Sequence, residues 1–374
     1  MSAAASAIVA RVAYAASDVL VDALPAPPSP SAFAPAFPAN AARRPRIHSI
    51  PFGADPGETI SRSAGAGLVS LIAPASSQLT TRLILHLSES ANRPVVLHLS
   101  VSDDLSDVLL LRFAATYFIV SSTAEEAHDN ALLASRLAKA ANKLVIHAFY
   151  GAADDVVEEV TEDQIATFLS AQSPSPIAAD EAAADPYKAY ERAAANTLTL
   201  VRRPVRPWTT YGGSPTDPST VVFVLGRDEA RLSTDGVLFV SISLLNPLPA
   251  SHITSLVPES AQKVIVLEQI RRWNVKWTPL YLDVVNGLQS TGKPVHSGVL
   301  GSTKGITDAD VQVCVPSSSF PSMLMIVVVC HRERSVAPRI GIFASGCLGC
   351  GFRARPQTRE FLHQDPFTCL RRSS

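Results

Sequence analysis

The chain has 374 residues, 47% of them hydrophobic and only 17% charged, with 32 Lys and Arg against 33 Asp and Glu for a formal charge of −1. That length exceeds what one hydrophobic core usually covers, so two folded domains are expected. The balanced charge excludes an electrostatic footprint for nucleic acid or an anionic membrane, and no apolar run reaches the ~18 residues of a membrane span.

Residues 1–23 pattern as an amphipathic helix with Ile8, Val12, Ala15, Ala16 and Val19 on one face. Arg11 and Asp18 interrupt its apolar stretch, so it does not read as a secretory leader, and a soluble, cytoplasmic protein is expected. The Pro- and Ala-rich residues 24–46 support no regular element. A short strand is expected over 46–52, then a loop through "SRSAGAG" (61–67) running into a helix. A small-residue stretch opening an apolar segment raises the question of a phosphate or cofactor cradle.

An alternation of strand and helix follows: strand 93–101, helix 103–113 capped by Asp103 or Asp104, strand 117–122, helix 124–142 and strand 143–149. Helix 124–142 has acids in its first turn and bases in its last, as the macrodipole favours. Residues 172–186 read as a linker. A second block gives strands at 219–226 and 262–269, a strand and turn over 236–249, and helices at 251–259 and 278–288. The predicted fold class is therefore α/β, as two α/β domains with mostly parallel sheets over residues 1–171 and 187–300. Beyond residue 312 the periodicity fades. All five cysteines (Cys314, Cys330, Cys347, Cys350, Cys369) fall there, and 312–374 reads as an aberrant or disordered tail.

Candidate chemistry is thin. Cys347 and Cys350 with His331 and His363 lack the second ligand pair of a structural zinc site. His48, His86, His98 and His147 are read as lying on or beside strands with no partner legible in sequence, so they read as hydrogen-bonded structural histidines. The acidic stretches 102–104 and 154–163 read as a cap and a solvated helix face. Gly226 after a strand is one glycine where a dinucleotide fingerprint needs three. Trp273 and Trp277 are expected on one helical side, packing between domains, with partner binding as the alternative.

The motifs together resemble a family. "AIVARVAYAASDVL" (7–20), "SRSAGAG" (61–67), "DDLSDVLLLRFAATYFIVSSTAEEAHDN" (103–130) and "KVIVLEQ…PLYLDVVNGL" (263–288) are similar, in order, to the pyrimidine-binding domain and second domain of pyruvate:ferredoxin oxidoreductases. The resemblance covers about residues 7–290. It implies a thiamine-diphosphate-binding-type fold followed by a transketolase-C-terminal-like one. In active members a glutamate in the Gly-rich stretch activates the thiamine; the matching residue is Ser63, which supplies no carboxylate. The family's Tyr-Pro-Ile-Thr-Pro turn is replaced by "LPAPPSP" (24–30).

Such a degenerate module resembles the amino-terminal region of fungal assimilatory NADPH sulfite reductase subunits. The resemblance implies a non-catalytic scaffold and subunit-contact segment whose partners are the other sulfite reductase domains or subunit, with no nucleic acid and no membrane. The whole complex uses NADPH, FAD, FMN, sirohaem and a 4Fe-4S cluster, and no catalytic, cofactor-binding or metal-ligating residue is assigned to this chain. Two other readings stand beside it: a thiamine-dependent 2-oxoacid:ferredoxin oxidoreductase subunit, and a small-molecule-binding module using Ser61, Ser63 and the amides of Gly65 and Gly67.

Overall fold

The computed structural model describes residues 3–23, 44–50, 54–63, 65–102, 104–150, 157–170, 179–212, 217–226, 234–270, 277–300, 325–329 and 341–344. The chain begins with α1 (Ala3–Ala16), β1 (Val19–Asp22), β2 (Arg46–Ser49), α2 (Pro56–Ser63), β3 (Val69–Pro74), α3 (Ser77–Ser90) and β4 (Val95–Val101). It continues with β5 (Tyr117–Ser121), α4 (Ala124–Ala141), β6 (Leu144–Tyr150), α5 (Glu162–Leu169), α6 (Ala179–Ala184) and α7 (Pro186–Val201). The second half contributes β7 (Trp208–Tyr211), β8 (Thr220–Leu225), β9 (Val237–Ile242), β10 (Leu244–Asn246), α8 (Ala250–Ser255), β11 (Lys263–Glu268), α9 (Pro279–Leu288), β12 (Val295–Leu300), β13 (Met325–Val329) and β14 (Gly341–Ala344).

These strands form two seven-stranded sheets, ordered β10-β5-β6-β4-β3-β1-β2 and β14-β13-β12-β11-β8-β9-β7. Each is mostly parallel; β10 runs antiparallel to β5, and β7 antiparallel to β9. The α/β class with two mostly parallel sheets is thus what the strand–helix alternation dictates. Parallel strands are covered on both faces, which is why β4, β5, β6 and β8 are mostly apolar and buried throughout, His98, Ser100, Ser121, His147 and Thr220 included. Alternate residues divide between two cores. Leu97, Leu99, Ile146 and Ala148 join a core shared with the inner face of the second sheet, while Val96, Ile119, Val145 and Phe149 pack beneath α1, α4 and α7. Each fully buried Val or Leu contributes about 1.5–3 kcal/mol.

Helix α4 is the hub of the first sheet. Fourteen of its 18 residues are buried, so its alanines serve close approach on several sides rather than an exposed face. Thr123 caps it by accepting a bond from the Glu126 amide, and Asn142, at φ 52°, ends it in the left-handed conformation. Among the described residues, no helix is long and apolar enough to cross a membrane.

Several elements differ from the sequence expectation. Residues 19–22 are a strand, not the end of the first helix, because four consecutive buried residues enter the sheet between β3 and β2. The segment 55–73 runs the other way round: helix first, then the Gly turn, then a strand. Asp55 accepts the Gly57 amide, Pro56 opens the helix, and the short apolar run after Gly67 is a buried strand. In place of the expected helix, two 3₁₀ segments form, Leu105–Asp107 and Leu109–Phe113, with Leu105, Val108 and Leu111, three apart, buried. Asp104 caps the first. Ala179–Ala184 is helical within 172–186. Two strands, β13 and β14, stand within 312–374; an unbroken apolar run carries no period to detect.

Candidate functional site

The Gly stretch is built as a structural turn. It follows the C-terminus of α2, where the helix dipole is negative, and so faces an anion with the wrong sign. Two amides at this turn are taken up internally: Ala66 N–H bonds the Ser63 carbonyl at 2.9 Å, and Leu68 N–H bonds Asp18 Oδ2 at 2.8 Å. Gly67 sits at φ 101°, and a Cβ there would lie 2.7 Å from Asp18 Cγ, so the glycine is required by the carboxylate packed against it. Gly65 faces open space. Ser63 is buried, and Ser61 Oγ is buried with no hydrogen-bond partner. The thiamine diphosphate that the fold implies needs a carboxylate presented from this stretch. The described residues offer Asp18, which already caps Leu68, and the exposed Glu58, paired with Arg62. These residues do not fit that cofactor. A phosphate is likewise disfavoured by the Asp18 charge beside Gly67.

The strand histidines are brought together by sheet register. His98 on β4 and His147 on β6 are direct neighbours, both fully buried, with Nδ1···Nδ1 at 3.0 Å. His147 Nε2 lies 2.9 Å from Ser121 Oγ on β5, which also accepts from Asn130 Nδ2 at 2.9 Å and donates to the Glu126 carbonyl at 3.3 Å. His98 Nε2 has no partner. One tautomer set leaves no buried imidazole N–H unsatisfied: His98 Nδ1–H donates to His147, and His147 Nε2–H donates to Ser121. Burial holds His98 down to about 3 and His147 well below the usual histidine range, with His98 adding to the effect on His147. Both rings are neutral, closed off from solvent, and unfit for acid–base exchange with a ligand.

Two other histidines have carboxylate partners. His86 Nε2 meets Asp55 Oδ2 at 3.1 Å and packs over Gly57. His128 Nδ1 meets Asp129 Oδ1 at 2.7 Å, while Arg203 grips the same carboxylate through Nε at 3.1 Å and Nη2 at 2.8 Å. His48 lies on the edge strand β2. The cysteines, His331, His363, Trp273 and Asp103 lie outside the described residues. Among the described residues no group of His, Cys, Asp or Glu is placed to hold a metal ion.

A feature the sequence reading missed is a groove of about 580 Å³ between the second 3₁₀ segment and α9. Its apolar walls include Leu109, Leu110, Phe113, Ile270, Trp277 and Leu282. Phe113 is 86% exposed and Trp277 53%. Arg112 and Asp283 form an ion pair across it, and Asn246 Nδ2 donates to the Ala115 carbonyl at 2.8 Å. Behind it Glu268, fully buried, accepts the Leu280 and Tyr281 amides that open α9, at 3.1 and 3.2 Å. Burial pushes its carboxyl up to about 8 against those two bonds. Sequence offers no signal for position 113: as a helix, the spacing of Leu105, Leu109 and Phe113 puts the phenylalanine on the inward face, and the 3₁₀ turn is what carries it outside.

No protein-family model matches the chain. It is 27% identical over 244 residues to sulfite reductase [NADPH] subunit beta of Schizosaccharomyces pombe, a match covering 56% of this chain. The chain spans only 16% of that relative's length. Among solved structures, 2-oxoglutarate:ferredoxin oxidoreductase from Magnetococcus marinus shares the fold at a TM-score of 0.53 and 12% identity, over 83% of this chain and 64% of that one. A split-gene transketolase, in an inactive β4 tetramer, does so at 0.50 and 13%, over 80% and 88%. The fold is therefore that of 2-oxoacid:ferredoxin oxidoreductases and transketolases.

Proposed function

We propose that this chain is a non-catalytic scaffold and subunit-contact segment of an assimilatory NADPH sulfite reductase, an assembly that reduces sulfite to sulfide. The observation that carries the reading is the 27% identity over 244 residues to the S. pombe beta subunit. The site geometry supports it from the other side. A thiamine-type sheet is retained, but the stretch that would present the activating carboxylate ends in Ser63 and a turn locked by Asp18. A 2-oxoacid oxidoreductase built on this chain has no group to deprotonate the cofactor, so that alternative is the weaker one.

In this reading the NADPH, flavin and sirohaem chemistry belongs to other modules of the assembly, and the apolar groove is where they touch this one. Phe113 and Trp277 have the size and exposure of interface anchors. The test is genetic and biochemical together. Cells lacking the chain are expected to need cysteine or methionine for growth and to lose NADPH-dependent sulfite reduction in extracts. Growth of such cells on sulfate at the parental rate would overturn the proposal. Calorimetric titration of the purified chain with thiamine diphosphate and Mg²⁺ is expected to release no binding heat; saturable binding favours the oxidoreductase alternative instead.

A further inference from the structure

The His98–His147 pair occupies the middle of the first sheet, and its hydrogen bonds lead outward to one place. From His147 the path goes to Ser121, the last residue of β5, and the next residue, Ser122, donates its hydroxyl to the Gly226 carbonyl at 2.9 Å. Gly226 ends β8 of the second sheet and is packed against Gln269, whose carbonyl accepts the Leu105 amide of the first half at 3.1 Å. The turn that receives the histidine relay is therefore also a fastening between the sheets. The Glu126 carboxylate completes that turn by accepting the Ser122 amide at 2.8 Å.

We propose that His98, His147 and Ser121 form a proton-sensitive latch: neutral imidazoles hold the β5 turn closed on the second sheet through Ser122 and Gly226, and acidification releases it. The chemistry follows from proton count. The Nδ1···Nδ1 bond uses one hydrogen and one lone pair, and His147 spends its remaining nitrogen on Ser121. An added proton has one free lone pair to take, His98 Nε2, and there it creates a buried cation with no acceptor. A second proton, on His147 Nδ1, sets two donors face to face and breaks the pair.

Among the described residues no carboxylate is bonded to either ring. Beside the pair, β3 places Ile72 opposite His98, β6 adds the Phe149 ring, and α1 reaches Ser100 through Ser6. The titratable neighbours are Tyr117 on β5, its hydroxyl raised by burial, and Glu126 on α4, which burial shifts toward its neutral form. Relief comes from opening the sheet so that the rings reach water, and the path of least disruption is the β5 turn.

The sign is fixed by linkage. Both rings titrate lower in the folded chain than the usual 6.5, so the open form binds more protons and gains population as pH falls below that value. With two histidines the opening constant rises by up to about a hundredfold per pH unit.

The experiment is amide hydrogen exchange on the full chain from pH 7.5 to 5, reported as protection factors at Val120 and Ser122, whose amides bond the Ser243 carbonyl and the Glu126 carboxylate, and at Leu105, whose amide bonds the Gln269 carbonyl beside Gly226. Protection is expected to fall at both places together below about pH 6.5, ahead of the rest of the sheet. In His98→Leu/His147→Leu that fall is expected to vanish, because both partners are replaced by apolar groups. In Ser122→Ala the fall at Val120 is expected to persist while Leu105 loses protection at every pH. An unchanged pH profile in the double variant overturns the proposal. Should that variant fail to fold, ring-nitrogen NMR of the wild-type chain decides: either imidazole titrating near 6.5 with folded amide signals intact overturns it equally.

Discussion

Replacing Gly67 by alanine tests whether the small-residue stretch is a turn or a cradle. The φ of 101° costs a β-carbon about 1–2 kcal/mol by itself. The new methyl also displaces Asp18, whose bond to Leu68 N–H is charge-assisted and worth roughly 1.5–3 kcal/mol. Gly67→Ala should therefore destabilise by about 2.5–5 kcal/mol, moving the urea midpoint down by about 1 M or more. Gly65→Ala, two residues away, meets open space and a backbone that needs no glycine. It should be neutral or gain up to about 1 kcal/mol from a less flexible unfolded chain. Far-UV circular dichroism during urea unfolding reads both variants on one scale. Equal midpoints for the two would refute the reasoning, since they would mean that Asp18 is not what makes position 67 a glycine.

The remaining expectations use other parts of the molecule. Glu268 holds a proton in the folded chain up to about 8 that the unfolded chain releases near 4.5, so stability should fall as pH rises through that window. Urea midpoints for Glu268→Gln should flatten that decline by about one proton's worth, up to ~1.4 kcal/mol per pH unit. Arg203→Ala leaves the buried Asp129 carboxylate with His128 alone and should cost about 3 kcal/mol in thermal or urea unfolding; lysine, lacking the planar fork, should restore only part. Phe113→Asp should change the chain's own stability by less than about 0.5 kcal/mol, because the ring is exposed. In sedimentation or pull-down with the remaining sulfite reductase polypeptides it should weaken association at least about tenfold.

The sheet strands were the legible part of the sequence. Val95–Val101, Tyr117–Ser121, Leu144–Tyr150 and Lys263–Glu268 are short apolar runs between helices, and burial on both faces leaves them no other form. Less legible was anything decided by a partner far along the chain. Nothing local announces that Leu244–Asn246 leaves the second sheet to join the first, or that residues 109–113 tighten to a 3₁₀ turn with Phe113 outside. Among site residues, the pairing of His98 with His147 depended on β4 and β6 being adjacent in register, which spacing does not encode. The reason for a glycine at 67 was equally out of reach of local reading, because it lies in Asp18, 49 positions earlier.

Strand β10 also sets a timetable for making the protein. Its partner β5 is translated first, and Leu244 follows Ile119, its register mate, by 125 residues. At about 5–20 residues per second, the first sheet leaves the ribosome with a bare edge for roughly 6–25 s before the chain supplies its cover. During that interval Phe118, Ile119 and Val120 present an apolar strand with open backbone groups, the template on which other nascent chains add. A stall in translation between the two strands should thus send this protein to chaperones or aggregates, and a chain cut anywhere between residues 122 and 243 leaves its first half permanently unfinished.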